Sequence, residues 1–165
     1  MMPTVEAAAV TVPTFMLNQT RVIRAPRQRV YEAWTNPESL KQWFGRPGRV
    51  CPAAELDVRL GGAYRIEVAA DQSAPAEPRA GECEQRKVAA LGHYTKIVPN
   101  ELLQFTWAAD WSPSEQSLVT VSLKDVDGGT EITILHENFT TEASRDAHNQ
   151  GWAGCLDNLA AKLEA

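Results

Sequence analysis

The stretch from Gly92 to Trp107 reads GHYTKIVPNELLQFTW and decides the fold class of the chain. A turn at Pro99-Asn100 separates two segments that are typical of β-strands. Apolar and polar residues alternate from Leu103 to Trp107, as they do in a strand with one buried face. The stretch therefore predicts two antiparallel strands joined by a tight turn.

The chain continues with two further strand patterns and ends in a helical one. Apolar residues alternate with polar ones in Gln116–Lys124 and Thr130–Glu137, and Asp127-Gly128-Gly129 between them favours a hairpin. From Thr141 onward the apolar positions follow helical spacing, in the order His148, Trp152, Cys155, Leu156, Leu159 and Leu163. A curved sheet that ends in one helix is expected to wrap around it and to leave a gap lined by side chains.

Two glycines lie early in this predicted helix, Gly151 and Gly154. Glycine inside a helix costs about 1 kcal/mol relative to alanine. We therefore expect another backbone or a ligand to approach the helix closely there.

The first half of the chain predicts a strand and two short helices. The strand covers Phe15–Arg24, and Pro26 suits the first position of the helix that follows. Asn36 suits the N-cap of a second helix that begins at Pro37. The first helix presents one apolar face, made of Val30, Ala33 and Trp34.

Two more strands are predicted in the middle of the chain. Glu55–Leu60 and Tyr64–Val68 alternate between apolar and polar residues, and a glycine pair joins them. The polar, proline-containing segment Asp71–Gln85 is predicted to be a long loop.

Length and composition indicate one globular domain. Of the 165 residues 44% are hydrophobic and 22% are charged. We predict a loose N-terminal tail at residues 1–14 and a single domain at residues 15–165. The net charge of −5 argues against nucleic-acid and anionic-membrane partners, and no apolar run reaches the length of a membrane span. Three widely spaced cysteines favour a reducing, cytoplasmic location.

No catalytic motif is found, and neither a catalytic residue, a metal site nor a cofactor is predicted. His93, His136 and His148 lack the spacing of metal ligands, although a wrapped sheet could bring two of them together. His136 in an apolar cavity could act as a base, or it could have a structural or ligand-orienting role.

Five pieces of the chain resemble, in order, the activator of heat-shock-protein-90 ATPase homologue family of the START-like superfamily, also called SRPBCC. The pieces are RVIRAPRQRVYEAWTNPESLKQWF, DVRLGGAYRIEV, GHYTKIVPNELLQFTW, SLVTVSLKDVDGGTEITILHENF and HNQGWAGCLDNLAAKL. Together they cover roughly Val22 to Leu163.

The resemblance implies an α+β helix-grip fold: a seven-stranded curved antiparallel sheet around a long C-terminal helix, with two short helices after the first strand. It also implies a deep apolar cavity between sheet and helix, which superfamily members use for hydrophobic molecules. Carried onto this sequence, the cavity-facing, ligand-binding positions are Trp43, Tyr64, Phe105, Trp107, Val121, His136, Trp152 and Leu156.

Three functions follow from these observations, and the first ranks highest. It is a small cytoplasmic protein, not an enzyme, that binds a hydrophobic small molecule. The second is an enzyme of cyclase or hydrolase type on a polyketide-like or aromatic substrate, with a cavity histidine as base. The third is a module that regulates a chaperone ATPase in a stress response. It ranks last because the family's eukaryotic activator carries a separate N-terminal chaperone-binding domain that this chain is expected to lack. A homodimer remains open.

Overall fold

The computed structural model describes residues 14–45, 49–70, 88–110 and 112–164. In chain order its elements are β1 (Phe15–Ile23), α1 (Arg27–Thr35), α2 (Pro37–Leu40), β2 (Arg49–Leu56), β3 (Ala63–Ala70), β4 (Val88–Val98), β5 (Leu102–Ala109), β6 (Ser112–Val126), β7 (Gly129–Phe139) and α3 (Glu142–Glu164). The strands form one antiparallel sheet in the order β1-β7-β6-β5-β4-β3-β2. This arrangement confirms the predicted helix-grip fold.

The long helix α3 lies against the first strand of the sheet. Gln19 Nε2 on β1 donates a hydrogen bond to the carbonyl of Asn149 at 2.6 Å, and Arg21 pairs with Asp157. Exposed pairs of this kind contribute at most about 1 kcal/mol each. Burial of an apolar stripe holds the helix instead, and its main members are Trp152, Cys155, Leu156, Leu159 and Leu163.

Local sequence signals set the two short helices. The Asn36 Oδ1 atom accepts hydrogen bonds from the backbone N–H groups of Glu38 at 2.9 Å and Ser39 at 3.3 Å, so Asn36 caps α2 as predicted. Pro26 is the N-cap of α1, one position before the one predicted for it, and its backbone is extended. These two helices place the rings of Trp34 and Phe44 next to Trp152 on α3.

The predicted turn at Pro99-Asn100 joins β4 to β5. Asn100 adopts a φ of 66°, in the left-handed region that asparagine tolerates better than most residues. Earlier in β4, a Cβ built on Gly92 would lie 2.0 Å from the carbonyl oxygen of Thr106 on β5. Glycine is therefore required at position 92, because two backbones approach each other closely there.

The predicted strand at Glu55–Leu60 is wrong in its position. Strand β2 covers Arg49–Leu56, and the chain then turns, so that Leu60 is 73% exposed. Gly61 takes a φ of 81° and a Cβ on Gly62 would collide with the carbonyl of Asp57, which places the turn between residues 57 and 62. The alternation at Leu56, Val58 and Leu60 reflects the end of a strand followed by a turn.

The close approach of another backbone expected at Gly151 is wrong, since an added Cβ there would meet no described atom within 4 Å, and the approach of a ligand stays a prediction. The predicted loop at Asp71–Gln85 lies outside the described residues, as does the predicted tail at residues 1–14 except for Thr14. The division into tail and single domain stays a prediction. None of the helices in the described part of the chain combines the length and hydropathy that a membrane span requires.

Candidate functional site

A cavity lies where the inner face of the sheet meets all three helical segments. Its volume is about 10 Å³, which is the space of about one water molecule. None of the side chains that line the cavity carries a charge. The lining residues are Trp34, Leu40, Phe44, Leu56, Tyr64, Ile66, Tyr94, Leu103, Phe105, Trp107 and Trp152. The place and apolar character of the cavity agree with the expectation from the resemblance. The cavity is much smaller than the deep one that the resemblance implies, because aromatic rings fill most of the gap between sheet and helix.

The rings on the cavity wall form two clusters. The sheet-side cluster has ring centroids 5.3–6.0 Å apart and consists of Tyr64, Tyr94 and Phe105. The second cluster joins Trp107 of β5 to rings from the helical segments; it has neighbouring centroids 5.3–6.4 Å apart and consists of Trp34, Phe44, Trp107 and Trp152. Edge-to-face and tilted contacts of this kind contribute about 0.5–1.5 kcal/mol per pair beyond the burial of area. The rings therefore support one another in the closed arrangement.

The structure places the eight predicted positions in two groups. Four line the cavity, namely Tyr64, Phe105, Trp107 and Trp152. Four are buried outside its lining, namely Trp43, Val121, His136 and Leu156. The lining residues absent from the prediction are Trp34, Leu40, Phe44, Leu56, Ile66, Tyr94 and Leu103. Trp34 carried a usable signal, since it belongs to the apolar face predicted for the first helix.

His136 is fully buried, and both of its ring nitrogens are hydrogen bonded. The indole N–H of Trp152 donates to Nδ1 at 3.0 Å, so Nδ1 carries no proton. The proton of the neutral ring therefore lies on Nε2, which donates to the Ser117 hydroxyl at 2.7 Å. Ser117 in turn donates to the carbonyl of Trp107 at 3.4 Å. His136 thus has a complete set of partners inside the protein.

The charge state of His136 agrees with these contacts. Burial, and to a smaller extent the nearby His148, lower the pKa of His136 to about 2. Protonation of Nδ1 would place two N–H donors against each other at the bond with Trp152. His136 is therefore neutral at physiological pH, and its acceptor nitrogen faces a tryptophan.

His148 accepts a hydrogen bond from Trp107. The Trp107 indole N–H donates to His148 Nε2 at 3.2 Å, and His148 Nδ1 lies 2.8 Å from the carbonyl of Ser144. This pair of contacts assigns the proton of His148 to Nδ1. Trp107 is half-buried, so this bond holds a ring at the rim of the cavity.

Tyr64 reaches across the neighbouring strand. It lies on β3 opposite Gly92 on β4, and its hydroxyl donates to the carbonyl of Thr106 on β5 at 2.5 Å. Burial, and then the neighbouring Tyr94, raise the pKa of Tyr64 well above its ordinary value, which keeps the phenol protonated as a donor. The absence of a side chain at Gly92 leaves room for this crossing.

Trp34 differs from the other described tryptophans. Its side chain is 4% exposed, and its indole N–H has no acceptor among the described residues. The N–H of Trp43, by comparison, donates to the carbonyl of Ala33 at 3.0 Å. A buried donor without a partner costs about 1–3 kcal/mol. Trp34 therefore brings one unused donor to the cavity wall.

The two described cysteines, Cys51 and Cys155, are buried and free. Burial raises the pKa of Cys155 to about 12, although the Gly45 N–H donates to its sulfur at 3.4 Å. Burial raises the pKa of Cys51 to about 11. Within the described residues, no three histidine, cysteine or acidic side chains are grouped to hold a metal ion.

The model of one protein family matches residues 24–164, and its description is Activator of Hsp90 ATPase homolog 1-like protein. The chain belongs to this family. The match runs from the end of β1 to the end of α3, so it includes each element that lines the cavity. No curated protein matches this sequence.

Solved structures of similar proteins share the fold. A protein from Chromobacterium violaceum with a crystal structure is 30% identical in sequence to this chain. Its TM-score is 0.75, and the match covers 92% of this chain and 99% of that chain. An uncharacterized protein from Rhizobium leguminosarum is 29% identical, with a TM-score of 0.71 over 92% and 95%. The AHSA1 protein from Silicibacter pomeroyi is 22% identical, with a TM-score of 0.75 over 91% and 98%, which supports the fold alone.

Proposed function

We propose that this cytoplasmic protein binds a neutral hydrophobic small molecule between the sheet and α3. The observation that carries the proposal is a cavity wall made of eleven uncharged side chains, with contributions from both faces of the gap. Burial of apolar surface contributes about 25 cal/mol per Å² to binding. A charged group would be buried there without a partner, at a large cost in free energy.

A guest of ordinary size requires the rings to move. The volume of about 10 Å³ describes the closed state, whereas a site for a drug-sized ligand has several hundred Å³. Leu56 and Trp107 are the two half-buried residues on the wall, so they are the side chains closest to solvent. We propose that these two side chains move when a ligand enters.

An enzyme that uses His136 as its base is not favoured by the contacts of this residue. Its acceptor nitrogen is bonded to Trp152 and its N–H to Ser117, so neither nitrogen is directed to a substrate. His136 also lies outside the cavity wall. No contact among the described residues favours a chaperone-regulating module.

A matched pair of variants tests the site. Leu103 and Leu156 are each 2% exposed, but only Leu103 lines the cavity. Both Leu→Ala changes are expected to cost about 2–5 kcal/mol of stability. Only Leu103→Ala enlarges the cavity, so it should bind acetophenone more tightly than the wild type does, as measured by calorimetry.

Two results would reject the proposal. One is equal acetophenone affinity of Leu103→Ala and Leu156→Ala, which would separate binding from the cavity. The other is a lack of measurable binding of neutral aromatic compounds to the wild type, together with no retained small molecule in native mass spectra of the purified protein.

A further inference from the structure

Trp34 is the exception among the interior tryptophans that the structure describes. The indole N–H groups of Trp43, Trp107 and Trp152 donate to Ala33, His148 and His136, at distances of 3.0, 3.2 and 3.0 Å. The Trp34 N–H has no acceptor among the described residues, although its side chain is 96% buried. Buried donors in folded proteins are nearly always paired with protein or with ordered water.

The position of Trp34 indicates where a partner can come from. Its ring lines the cavity, with centroids 4.9 Å from Trp43 and 5.9 Å from Trp152. The face of a neighbouring ring is a weak acceptor that replaces only part of a hydrogen bond. Because no described protein group supplies an oxygen or nitrogen acceptor and the ring lines the cavity, we look for a full partner inside the cavity.

We propose that the Trp34 indole N–H donates to a single acceptor oxygen on the bound molecule. The ligand is then a neutral, mainly apolar compound that carries one carbonyl oxygen. This inference rests on the proposed function and deepens it, because apolar burial alone would not distinguish a ketone from a hydrocarbon of the same shape. Three other polar groups of the wall are already used: the Tyr64 hydroxyl donates to Thr106, and the Trp107 and Trp152 N–H groups donate to histidines.

An isosteric pair of probes tests this directly. Acetophenone and α-methylstyrene share one shape and differ in a carbonyl oxygen against a methylene group. In the wild type, the Trp34 hydrogen bond raises the affinity for acetophenone relative to that for α-methylstyrene. In Trp34→Phe this contribution is lost. We expect the ratio of the two affinities to fall by about 2- to 12-fold in Trp34→Phe, the range that one neutral hydrogen bond supplies.

Trp43→Phe is the matched control, because it removes a buried N–H that is already bonded inside the protein and lies outside the cavity wall. The ketone-to-alkene ratio should be unchanged in this variant. An equal fall of the ratio in Trp43→Phe would overturn the inference, since general loosening of the interior would then explain the effect.

A measurement on the wild type covers the case in which Trp34→Phe does not fold. In ¹⁵N-labelled protein, the Trp34 indole N–H resonance should move downfield on addition of acetophenone and stay in place with α-methylstyrene. A crystal soaked with acetophenone should show the carbonyl oxygen about 2.7–3.2 Å from Nε1.

The outcomes separate the two proposals. If neither compound binds to the wild type, the cavity function fails and the inference fails with it. If both bind and the ratio is the same in Trp34→Phe, the inference alone fails, and a water molecule or a ring face meets the N–H while the cavity function stands.

Discussion

The indole of Trp152 on α3 donates its N–H to Nδ1 of His136 on β7, across a distance of 3.0 Å. This bond connects the helix to the sheet and selects the tautomer of a fully buried imidazole. Because the ring must remain neutral to accept it, helix packing and protonation are coupled.

The stability of the protein should fall in acid because of His136. Burial lowers its pKa from 6.5 to about 2, so between these values the unfolded chain binds a proton that the folded chain excludes. The free energy of unfolding should therefore decrease as the pH falls below about 6.5, by at most about 1.4 kcal/mol per pH unit. His136→Gln should reduce this slope in denaturant titrations, whereas His93→Gln, at an exposed position, should retain it. Parallel curves for wild type and His136→Gln would contradict the prediction.

Removal of the hydroxyl at Ser117 should destabilise the fold by about 1–3 kcal/mol. The change Ser117→Ala leaves the His136 Nε2–H buried without an acceptor. Ser122→Ala is the control on the same strand, and it should stay within about 0.5 kcal/mol of the wild type. Chemical denaturation of the three proteins measures the difference, and equal stability of both variants would rule out this role.

Two glycine substitutions should act in opposite directions. Gly92→Ala places a Cβ 2.0 Å from the Thr106 carbonyl, which also accepts from Tyr64, and should cost more than about 2 kcal/mol. Gly151→Ala meets no described atom within 4 Å and should stabilise α3 by about 1 kcal/mol. Melting temperatures test both, and destabilisation by Gly151→Ala would indicate a contact that the structure does not describe.

Loss of the indole N–H should cost more at Trp43 than at Trp34. Trp43→Phe leaves the buried Ala33 carbonyl without its donor, whereas Trp34→Phe removes a donor that has no described partner. Both changes delete similar volume, so the difference in unfolding free energy should be about 1–3 kcal/mol. A larger loss for Trp34→Phe would mean that its N–H is bonded in the free protein.

The parts of the fold that local chemistry controls could be predicted from the sequence. Asn36 with Pro37 marks a helix start, Pro99-Asn100 marks a turn, and both act through hydrogen bonds or dihedral preferences within a few residues. The start of β2 could not be predicted in this way. Arg49–Leu56 reads RVCPAAEL, which alternates poorly and contains a proline, and its strand conformation depends on pairing with β3.

The site was harder to predict than the fold for a related reason. The volume of the cavity depends on how rings from several elements pack, and a change of one rotamer can open or close it. The bonds of His136 depend on residues at positions 117 and 152, which only the folded sheet and helix bring together. Sequence periodicity indicates that such residues are buried, but not what they contact.

The pairing of β1 with β7 has a consequence for the order of synthesis. Residues 15–23 are synthesised before residues 129–139, with which they pair, and before the helix that packs on them. Strand β1 must therefore wait, unpaired, until its partner strand β7 has been made. The sheet closes on β1 only after residue 139 has been made, and a premature stop before residue 129 leaves β1 without its partner strand.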